Sequence, residues 1–260
     1  MSKIGIIGCG NLGMSILNGL LASGVESVYV SKRTPIGFNN PDPEKVHFTT
    51  DNKELINNSE LLIVTLKPYK VKEFLTQYKD LITKDQHTVV SAASGISIND
   101  IEQELNPGIG VYRIMPNTAS SVQESLTAVC LGKDPLDRLN DVVALCDAIG
   151  TSIVIDEELM DAVTILGACG IAYVLRFIRG MIQGGIEVGF DATTAGKIVS
   201  QTVKGAAELL IRNGNHPEAE IDKVTTPKGC TIVGLNEMEH AGFSSALIKG
   251  IVTSYEKIEN

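Results

Sequence analysis

The sequence predicts an α/β protein in which a parallel-sheet domain is followed by an all-helical domain. Short apolar runs rich in β-branched residues alternate with helical patterns over the first 156 residues. Such βαβ alternation is typical of a parallel sheet with helices on both faces. From Glu157 onward the patterns are helical only. We therefore expect two domains, residues 1–156 and 157–260.

Six strands are expected in the first domain. Each is a short, mainly apolar run bounded by turn residues or by a helical pattern. They are Ile4–Ile7, Ser27–Ser31, Val46–Thr49, Leu61–Leu66, Thr88–Ala93 and Gly110–Met115. Between them, the pattern predicts a helix over Asn11–Ala22, a second one capped by Asp51, and a third that begins at Pro68.

The second domain is expected to hold two long helices, from Glu157 to about Val188 and from Ala192 to Asn213, with shorter ones after them. The apolar run Val163–Leu175 is too short to span a bilayer, so we expect a buried helix there. A helical domain of this size and apolarity is expected to complete its core by pairing with a second copy. Small residues would let another helix approach closely, and they are Gly180, Gly184, Gly185 and Gly189.

Composition narrows the class of function. The net charge of −9 argues against nucleic acid and anionic membranes as partners. The five cysteines are an odd number without a CxxC pair, which predicts reduced, buried thiols in a cytoplasmic protein. No spacing of metal ligands is visible, so no metal site is expected. A strand that begins at Ile4 leaves no room for a signal peptide.

The first strand leads into a glycine-rich turn, Gly8-Cys9-Gly10-Asn11-Leu12-Gly13, which fits G-x-G-x-x-G. This spacing between a buried strand and a helix is typical of a Rossmann-type dinucleotide site. Gly8 permits the tight turn, Gly10 lets the backbone approach a pyrophosphate, and Gly13 lets the helix pack on the strand. The amides at the helix start, including those of Asn11 and Leu12, would then face the phosphates.

The end of the second strand distinguishes between the two nicotinamide cofactors. An NAD-binding chain usually carries an acidic residue there, whereas this chain has Ser31, Lys32 and Arg33. These side chains could donate charge-assisted hydrogen bonds to a 2′-phosphate. We therefore expect NADPH, with NADH as a weaker alternative. Lys67 and Pro68 follow the fourth strand at the edge where ligands bind, and a cofactor-facing role is expected for them.

Several segments resemble the pyrroline-5-carboxylate reductase family, and they occur in that family's order over nearly the whole chain. The matching segments are Gly8–Gly13, Thr65–Pro68, Ser91–Ile96, Arg113–Thr118, Glu157–Thr164 and Val224–Leu235. The chain departs from the family at Gly167–Tyr173, where two serines and a proline are replaced. It also has Lys228 in place of a usual glycine and Cys230 in place of a usual Thr or Ala.

The resemblance implies NADPH-dependent reduction of 1-pyrroline-5-carboxylate to L-proline. A cyclic imine can arrive protonated, so its reduction requires orientation and a hydrogen-bond partner more than a strong acid. The resemblance assigns that role to the hydroxyls of Thr231 and Thr226. Gly229, Cys230 and Thr231 are expected to present unpaired amides to the substrate carboxylate, with Lys228 adding charge. Asn117 is expected to orient the nicotinamide or the substrate.

Two alternatives remain open at this point. The altered segment Gly167–Ile171 is compatible with a divergent imine reductase that acts on a related cyclic imine. A non-catalytic paralogue that only binds the dinucleotide is the other. In each case we expect a homodimer or a larger homo-oligomer.

Overall fold

The computed structural model describes residues 2–259, and it confirms the expected fold class: a mostly parallel sheet with flanking helices, followed by a helical region. The sheet has eight strands in the order β3-β2-β1-β4-β5-β6-β7-β8. The strands are β1 (Ile4–Ile7), β2 (Val28–Ser31), β3 (Val46–Thr49), β4 (Leu61–Val64), β5 (Thr88–Ser91), β6 (Gly110–Met115), β7 (Ser125–Leu131) and β8 (Gly150–Val154).

Eleven α-helices are found in residues 2–259. They are α1 (Asn11–Ala22), α2 (Asn52–Asn57), α3 (Pro68–Tyr78), α4 (Ile98–Glu104), α5 (Leu139–Asp147), α6 (Met160–Val163), α7 (Gly170–Glu187), α8 (Ala192–Asn213), α9 (Pro217–Lys223), α10 (Cys230–His240) and α11 (Phe243–Glu259). The chain forms two compact units, and the boundary between them falls after Cys169.

The first unit has a hydrophobic core on each face of its sheet. Successive strand residues point to opposite faces, so Ile6 joins one cluster and Ile7 the other. The first cluster includes Ile16, Leu17 and Leu20 of α1, which lie on one side of that helix. This unit therefore buries its apolar side chains within a single chain.

Local signals set the helix boundaries where they were expected. The Asp51 carboxylate accepts a hydrogen bond from the Lys53 amide and begins α2, and Pro68 is the first residue of α3. Asp191 caps α8 through the amides of Thr193 and Thr194. Gly214 ends α8 with a φ of 64°.

The last two strands were not predicted. β7 pairs antiparallel with β6, and β8 then pairs parallel with β7. The change of direction follows a 3₁₀ turn, Thr118–Val122, that packs against α1. A β carbon on Gly19 of α1 would lie 2.1 Å from the Ser120 carbonyl oxygen, so this close approach requires a glycine.

The long helix expected from Glu157 to Val188 is irregular at its start. A 3₁₀ turn, Glu157–Leu159, precedes α6, and a π-helical turn over Thr164–Cys169 separates α6 from α7. The apolar pattern is similar for regular and π-helical turns, so the sequence alone did not reveal this irregularity. The whole stretch Glu157–Glu187 is long and apolar enough to cross a membrane by length and composition.

The second unit has almost no core of its own. Among residues 170–258, only Ala195 and Val199 are buried. Most of the run Val163–Leu175 is not buried in the single chain, so the expectation of a buried helix was wrong at the level of one chain. Its apolar residues include Leu166 and Leu175, which are 63% and 58% exposed.

A few contacts connect the helices of this unit. The Tyr173 hydroxyl of α7 donates to Ser254 Oγ of α11 at 2.8 Å, and Phe177 packs against Phe243 with ring centroids 6.0 Å apart. These contacts leave most of the apolar surface of the second unit uncovered.

The cysteines are free thiols, as expected, but they are not all buried. Cys9, Cys130 and Cys146 lie in the core, whereas Cys169 is half-buried and Cys230 is exposed. Cys230 is exposed because it is the first residue of α10, in the unit that lacks a core.

Candidate active site

The glycine-rich turn has the geometry expected of a pyrophosphate cradle. Gly8 has a φ of 87°, and a β carbon there would lie 2.4 Å from Leu66 Cδ2. A β carbon on Gly13 would lie 2.9 Å from Thr65 Oγ1, so α1 can sit against the sheet only without one. At Gly10 the nearest atom would be 3.8 Å away, so the space beside its backbone is open. The structure is thus consistent with a separate role for each glycine.

Hydrogen bonds hold this turn in place and leave the helix amides free. The amides of Gly8 and Cys9 both donate to the Ser31 carbonyl at 3.0 Å. The Thr65 hydroxyl lies 3.1 Å from the Ile7 carbonyl oxygen and 3.0 Å from that of Gly8. Within residues 2–259, the amides at the start of α1, those of Asn11, Leu12 and Gly13, have no acceptor. Three free amides at a helix N-terminus form a binding site for an anion, so these residues fit a dinucleotide.

The end of β2 and the residues after it lie next to this turn. The buried Ser31 hydroxyl donates to Asn52 Oδ1 at 2.6 Å, so it serves the protein in this structure. Lys32 Nζ donates to the Ile36 carbonyl at 3.2 Å, while Arg33 is exposed and has no ion pair within the described chain. The arrangement leaves a guanidinium available to a 2′-phosphate beside the turn.

Two further features of this edge concern Cys9 and Lys67. Burial raises the pKa of the Cys9 thiol to about 12, against a smaller lowering by Lys32. Lys67 is exposed and caps α3 at the carboxyl end of β4, with Pro68 as the first helical residue. The side chain of Lys67 is therefore accessible at the edge of the sheet where β1 meets the glycine-rich turn.

In the second unit, the predicted substrate residues form a tight turn before α10. The Gly229 amide donates to the Thr226 carbonyl at 2.9 Å, with Pro227 and Lys228 between them. Lys228 has a φ of 61°, a value that favours glycine at the third position of a type II turn. A β carbon on Gly229 would lie 2.6 Å from Thr226 Oγ1.

The start of α10 offers free donors, with one correction to the expectation. Gly229 uses its amide in the turn, so it does not present it to a ligand. The amides of Cys230, Thr231 and Ile232 have no acceptor within residues 2–259. The hydroxyls of Thr226 and Thr231 also lack hydrogen bonds in this part of the chain, and both side chains are exposed. The Lys228 ammonium lies in the same turn, so its charge and the free amides could together bind an anion.

Asn117 is engaged on both sides of its amide. It is 6% exposed, its Oδ1 accepts from the Ala119 amide at 2.9 Å, and its Nδ2 donates to the Gly167 carbonyl at 3.0 Å. Its backbone amide donates to Ser125 Oγ at 3.0 Å. The structure thus places Asn117 at the carboxyl end of β6 as an internal connector.

Sequence reasoning did not foresee an ion pair beneath this edge. Arg113 of β6 is buried and contacts Glu157 Oε1 at 2.6 Å, and the same oxygen accepts from the Ile98 amide at 2.7 Å. The position of Arg113 in an apolar strand could have indicated this pair, because a buried charge requires a partner. The pair anchors the start of the helical segment on β6.

Two protein-family models match this chain, one in each part. Residues 157–260 match the family described as pyrroline-5-carboxylate reductase dimerisation. Residues 3–95 match the family described as NADP oxidoreductase coenzyme F420-dependent. The expectation of an NAD(P)-dependent oxidoreductase is thereby confirmed.

Relatives of similar sequence carry one activity in their names. Pyrroline-5-carboxylate reductase 1 of Dictyostelium discoideum is 42% identical over 98% of this chain, which spans 49% of that longer protein. Pyrroline-5-carboxylate reductase 2 of the same organism is 40% identical over 98% of this chain and 91% of its own length. The Arabidopsis thaliana enzyme is 33% identical over 98% of this chain and 94% of its own length.

Solved structures agree with the fold over the full chain. The Coxiella burnetii pyrroline-5-carboxylate reductase has a TM-score of 0.86 and 26% identity, and covers 99% of this chain and 97% of its own. The Plasmodium falciparum pyrroline carboxylate reductase, solved with NADP bound, has a TM-score of 0.87, and the match covers 99% of this chain and 97% of that protein. At 23% identity, this second match supports the fold alone.

The dimerisation match covers the helices that are exposed in the single chain. The apolar stretch Glu157–Glu187 lies in the region that matches the dimerisation family. The expected homo-oligomer is confirmed in this general form. On the relatives of more than 30% identity and on the dimerisation match, this chain belongs to the pyrroline-5-carboxylate reductase family.

Proposed function

We propose that this protein reduces 1-pyrroline-5-carboxylate to L-proline, with NADPH as the preferred donor, in the cytoplasm and as a homodimer or a larger assembly of dimers. The observation that supports the proposal is that backbone amides lack acceptors at the starts of two helices, α1 and α10. The amides at the start of α1 suit a pyrophosphate, and those at the start of α10 suit a carboxylate. A cyclic imino acid and a dinucleotide require one site each.

The cofactor assignment rests on the first unit. We assign the pyrophosphate to Gly8, Gly10 and Gly13 with the free amides of α1, and the 2′-phosphate to Lys32 and Arg33. Ser31 would shape the loop through Asn52, and Lys67 with Pro68 would border the cofactor at the end of β4. When bound, the reduced nicotinamide supplies the hydride that converts the C=N bond into an amine.

The substrate assignment rests on the turn before α10. The amides of Cys230 and Thr231 would donate to the substrate carboxylate, and the Lys228 ammonium would add charge beside them. The turn requires glycine at position 229, because a β carbon there would clash with Thr226.

The role of the threonine hydroxyls follows from the charge of the substrate. A protonated imine carries an N–H donor, and its reduction yields a neutral amine without an oxyanion. Thr231 Oγ1 would accept a hydrogen bond from that nitrogen and so orient the ring, with Thr226 as a second acceptor. This mechanism needs no side chain that donates a proton. That agrees with the absence of Lys and His from residues 157–196.

A set of cyclic imines tests the proposal. The purified protein should oxidise NADPH with 1-pyrroline-5-carboxylate, and its kcat/KM should exceed that for the six-membered analogue. The matched control is 1-pyrroline, which lacks the carboxylate and should lose at least about tenfold in kcat/KM if the α10 amides bind that group. A preference for another cyclic imine would favour the divergent imine reductase. Tight NADPH binding without turnover of any imine would favour the non-catalytic paralogue.

The variant Thr231→Ala locates the chemistry. It should lower kcat by about tenfold or more, because only the hydroxyl that orients the imine is removed, and NADPH affinity should stay unchanged. Thr231→Ser, which keeps the hydroxyl, should retain most of the activity. Loss of NADPH binding in Thr231→Ala would contradict the assignment.

A further inference from the structure

Asn117 lies where three elements of the first unit meet. Its backbone amide bonds to Ser125 at the start of β7, its Oδ1 holds the Ala119 amide of the 3₁₀ turn, and its Nδ2 holds the Gly167 carbonyl. Each polar atom of the side chain thus has one protein partner. Because the side chain is also buried, it is fixed in one orientation.

The partner at Gly167 belongs to the π-helical turn Thr164–Cys169. A π-turn inserts an extra residue into a helix, and such turns are rare and occur frequently at functional sites. A hydrogen bond from outside the helix can fix which residues take part in such a turn. The hydrogen bond from Asn117 Nδ2 to the Gly167 carbonyl is a fixed point of this kind, at 3.0 Å.

A second contact fixes the other end of the same segment. Glu157 is held by Arg113 of β6 and by the Ile98 amide. Strand β6 and the residue just beyond it therefore anchor the segment 157–169 at both ends, through Arg113 and Asn117.

The π-turn is anchored to residues at the carboxyl end of β6, on the side of the sheet where a dinucleotide binds. With the pyrophosphate at α1 and the 2′-phosphate beside β2, the other half of a dinucleotide extends over the carboxyl ends of β4, β5 and β6. Asn117 lies two residues beyond the end of β6, on that side. Gly167, Ala168 and Cys169 are small and only partly buried, so a nicotinamide could approach their backbone.

We propose that Asn117 is a positioning residue, which fixes the register of the π-turn and thereby the surface that the Gly167–Cys169 backbone presents to the reacting nicotinamide. The proposal rests on the proposed function. It assigns Asn117 an action through Gly167 instead of a direct contact with either ligand.

Two variants remove the donor from the side chain. Asn117→Asp keeps the acceptor for Ala119 but sets a carboxylate oxygen against the Gly167 carbonyl, and Asn117→Ala removes both side-chain contacts. Ser125→Ala is the matched control, because it removes a buried partner of Asn117 and leaves the contact with Gly167 intact. Ser125→Ala should lower the Tm with little change in kcat.

Four measurements test the proposal: kcat, the Kd for NADPH, the isotope effect with NADPH deuterated at the transferred hydrogen, and amide hydrogen exchange in residues 164–172. Both Asn117 variants should lower kcat by about tenfold or more and raise the isotope effect, because misalignment slows the hydride step. Exchange in the π-turn should accelerate, and the Kd for NADPH should stay within about twofold of the wild type.

Other outcomes overturn the proposal. A lower Tm with wild-type kcat and isotope effect would show that Asn117 has only a structural role. A large rise in the Kd for NADPH would show a direct cofactor contact, and unchanged exchange would show that Gly167 does not depend on Asn117. If the wild-type protein does not reduce 1-pyrroline-5-carboxylate, the proposed function fails, while the exchange measurement still tests the link between Asn117 and the π-turn.

Discussion

The two units of this chain solve the problem of apolar burial in opposite ways. The first packs helices on both faces of an eight-stranded sheet and encloses two hydrophobic clusters within one chain. The second has long apolar helices but buries only Ala195 and Val199 among residues 170–258. The first unit buries its apolar side chains within one chain, whereas the second leaves most of its apolar surface in water, which is unfavourable. We expect a second copy to cover that surface. Similar substitutions in the two units should therefore have different effects.

The largest effect is expected from a charge on the uncovered helices. Leu175→Glu replaces a side chain that is 58% exposed in the single chain. We expect a second copy to cover it, so the charge should remove about 1–2 kcal/mol of burial from each copy. We expect dissociation to monomers and loss of activity. Light scattering after gel filtration measures the mass. The control is Leu131→Glu, which places the same charge on the first unit, where Leu131 is 44% exposed, and should leave the assembly intact. If both variants assemble like the wild type, the dependence on a second copy is refuted.

The next effect separates binding from folding in the first unit. Gly10→Ala adds a methyl group that meets no protein atom closer than 3.8 Å, so the Tm should not change. On the proposed cofactor assignment, the methyl group would occupy the space of the pyrophosphate, and NADPH affinity should fall by about 100-fold. Fluorescence titration and calorimetry report the two quantities. Gly8→Ala should lower both, because of its positive φ and its contact with Leu66. Normal NADPH binding in Gly10→Ala would place the cofactor elsewhere.

A smaller effect concerns the choice of cofactor. The double variant Lys32→Ala with Arg33→Ala should raise the KM for NADPH by about tenfold, through loss of charge-assisted hydrogen bonds, and should hardly change that for NADH. Steady-state kinetics with each cofactor provide the comparison. An equal loss for both cofactors would contradict the assignment of the 2′-phosphate to these residues.

The smallest effect concerns the turn in the second unit. Lys228 has a φ of 61°, which costs an L-residue about 1 kcal/mol, so Lys228→Gly should raise the stability by up to that amount. Lys228→Ala keeps the strain and should not. Both variants remove the charge beside the proposed carboxylate site and should raise the KM for 1-pyrroline-5-carboxylate by about twofold to fivefold. Thermal unfolding and kinetics separate the two contributions. A KM that changes in neither variant would remove Lys228 from the substrate site.

The two units also differ in how far the sequence predicted them. The first six strands and α1 were expected within a few residues, because short apolar runs between glycine, proline and capping residues specify such elements closely. Strands β7 and β8 were missed. β8 is an edge strand with an exposed Thr151 and Ile153, so it lacks the continuous apolar run of the central strands.

The limits of α8 in the second unit were predicted at Ala192 and Asn213, but the predicted burial of the apolar run Val163–Leu175 was wrong for the single chain. Burial of Val163–Leu175 was expected from its apolar pattern, which reports residue types and not the surfaces that cover them. The free amides of α10 begin one residue later than predicted. The Gly229 amide is used by a turn in which Lys228 is left-handed, and the sequence did not indicate that conformation. The site roles assigned from the sequence stay predictions that the variants above can test.

The inward orientation of Cys9 protects the nucleotide-binding turn chemically. With its pKa raised to about 12 by burial, this thiol is almost entirely protonated at neutral pH, and thiolate is the form that peroxides and electrophiles attack. A cell under oxidative stress should therefore leave this turn unmodified. An alkylating reagent should label the exposed Cys230 long before Cys9, which makes mass spectrometry of the two peptides a direct record of which surfaces the solvent reaches.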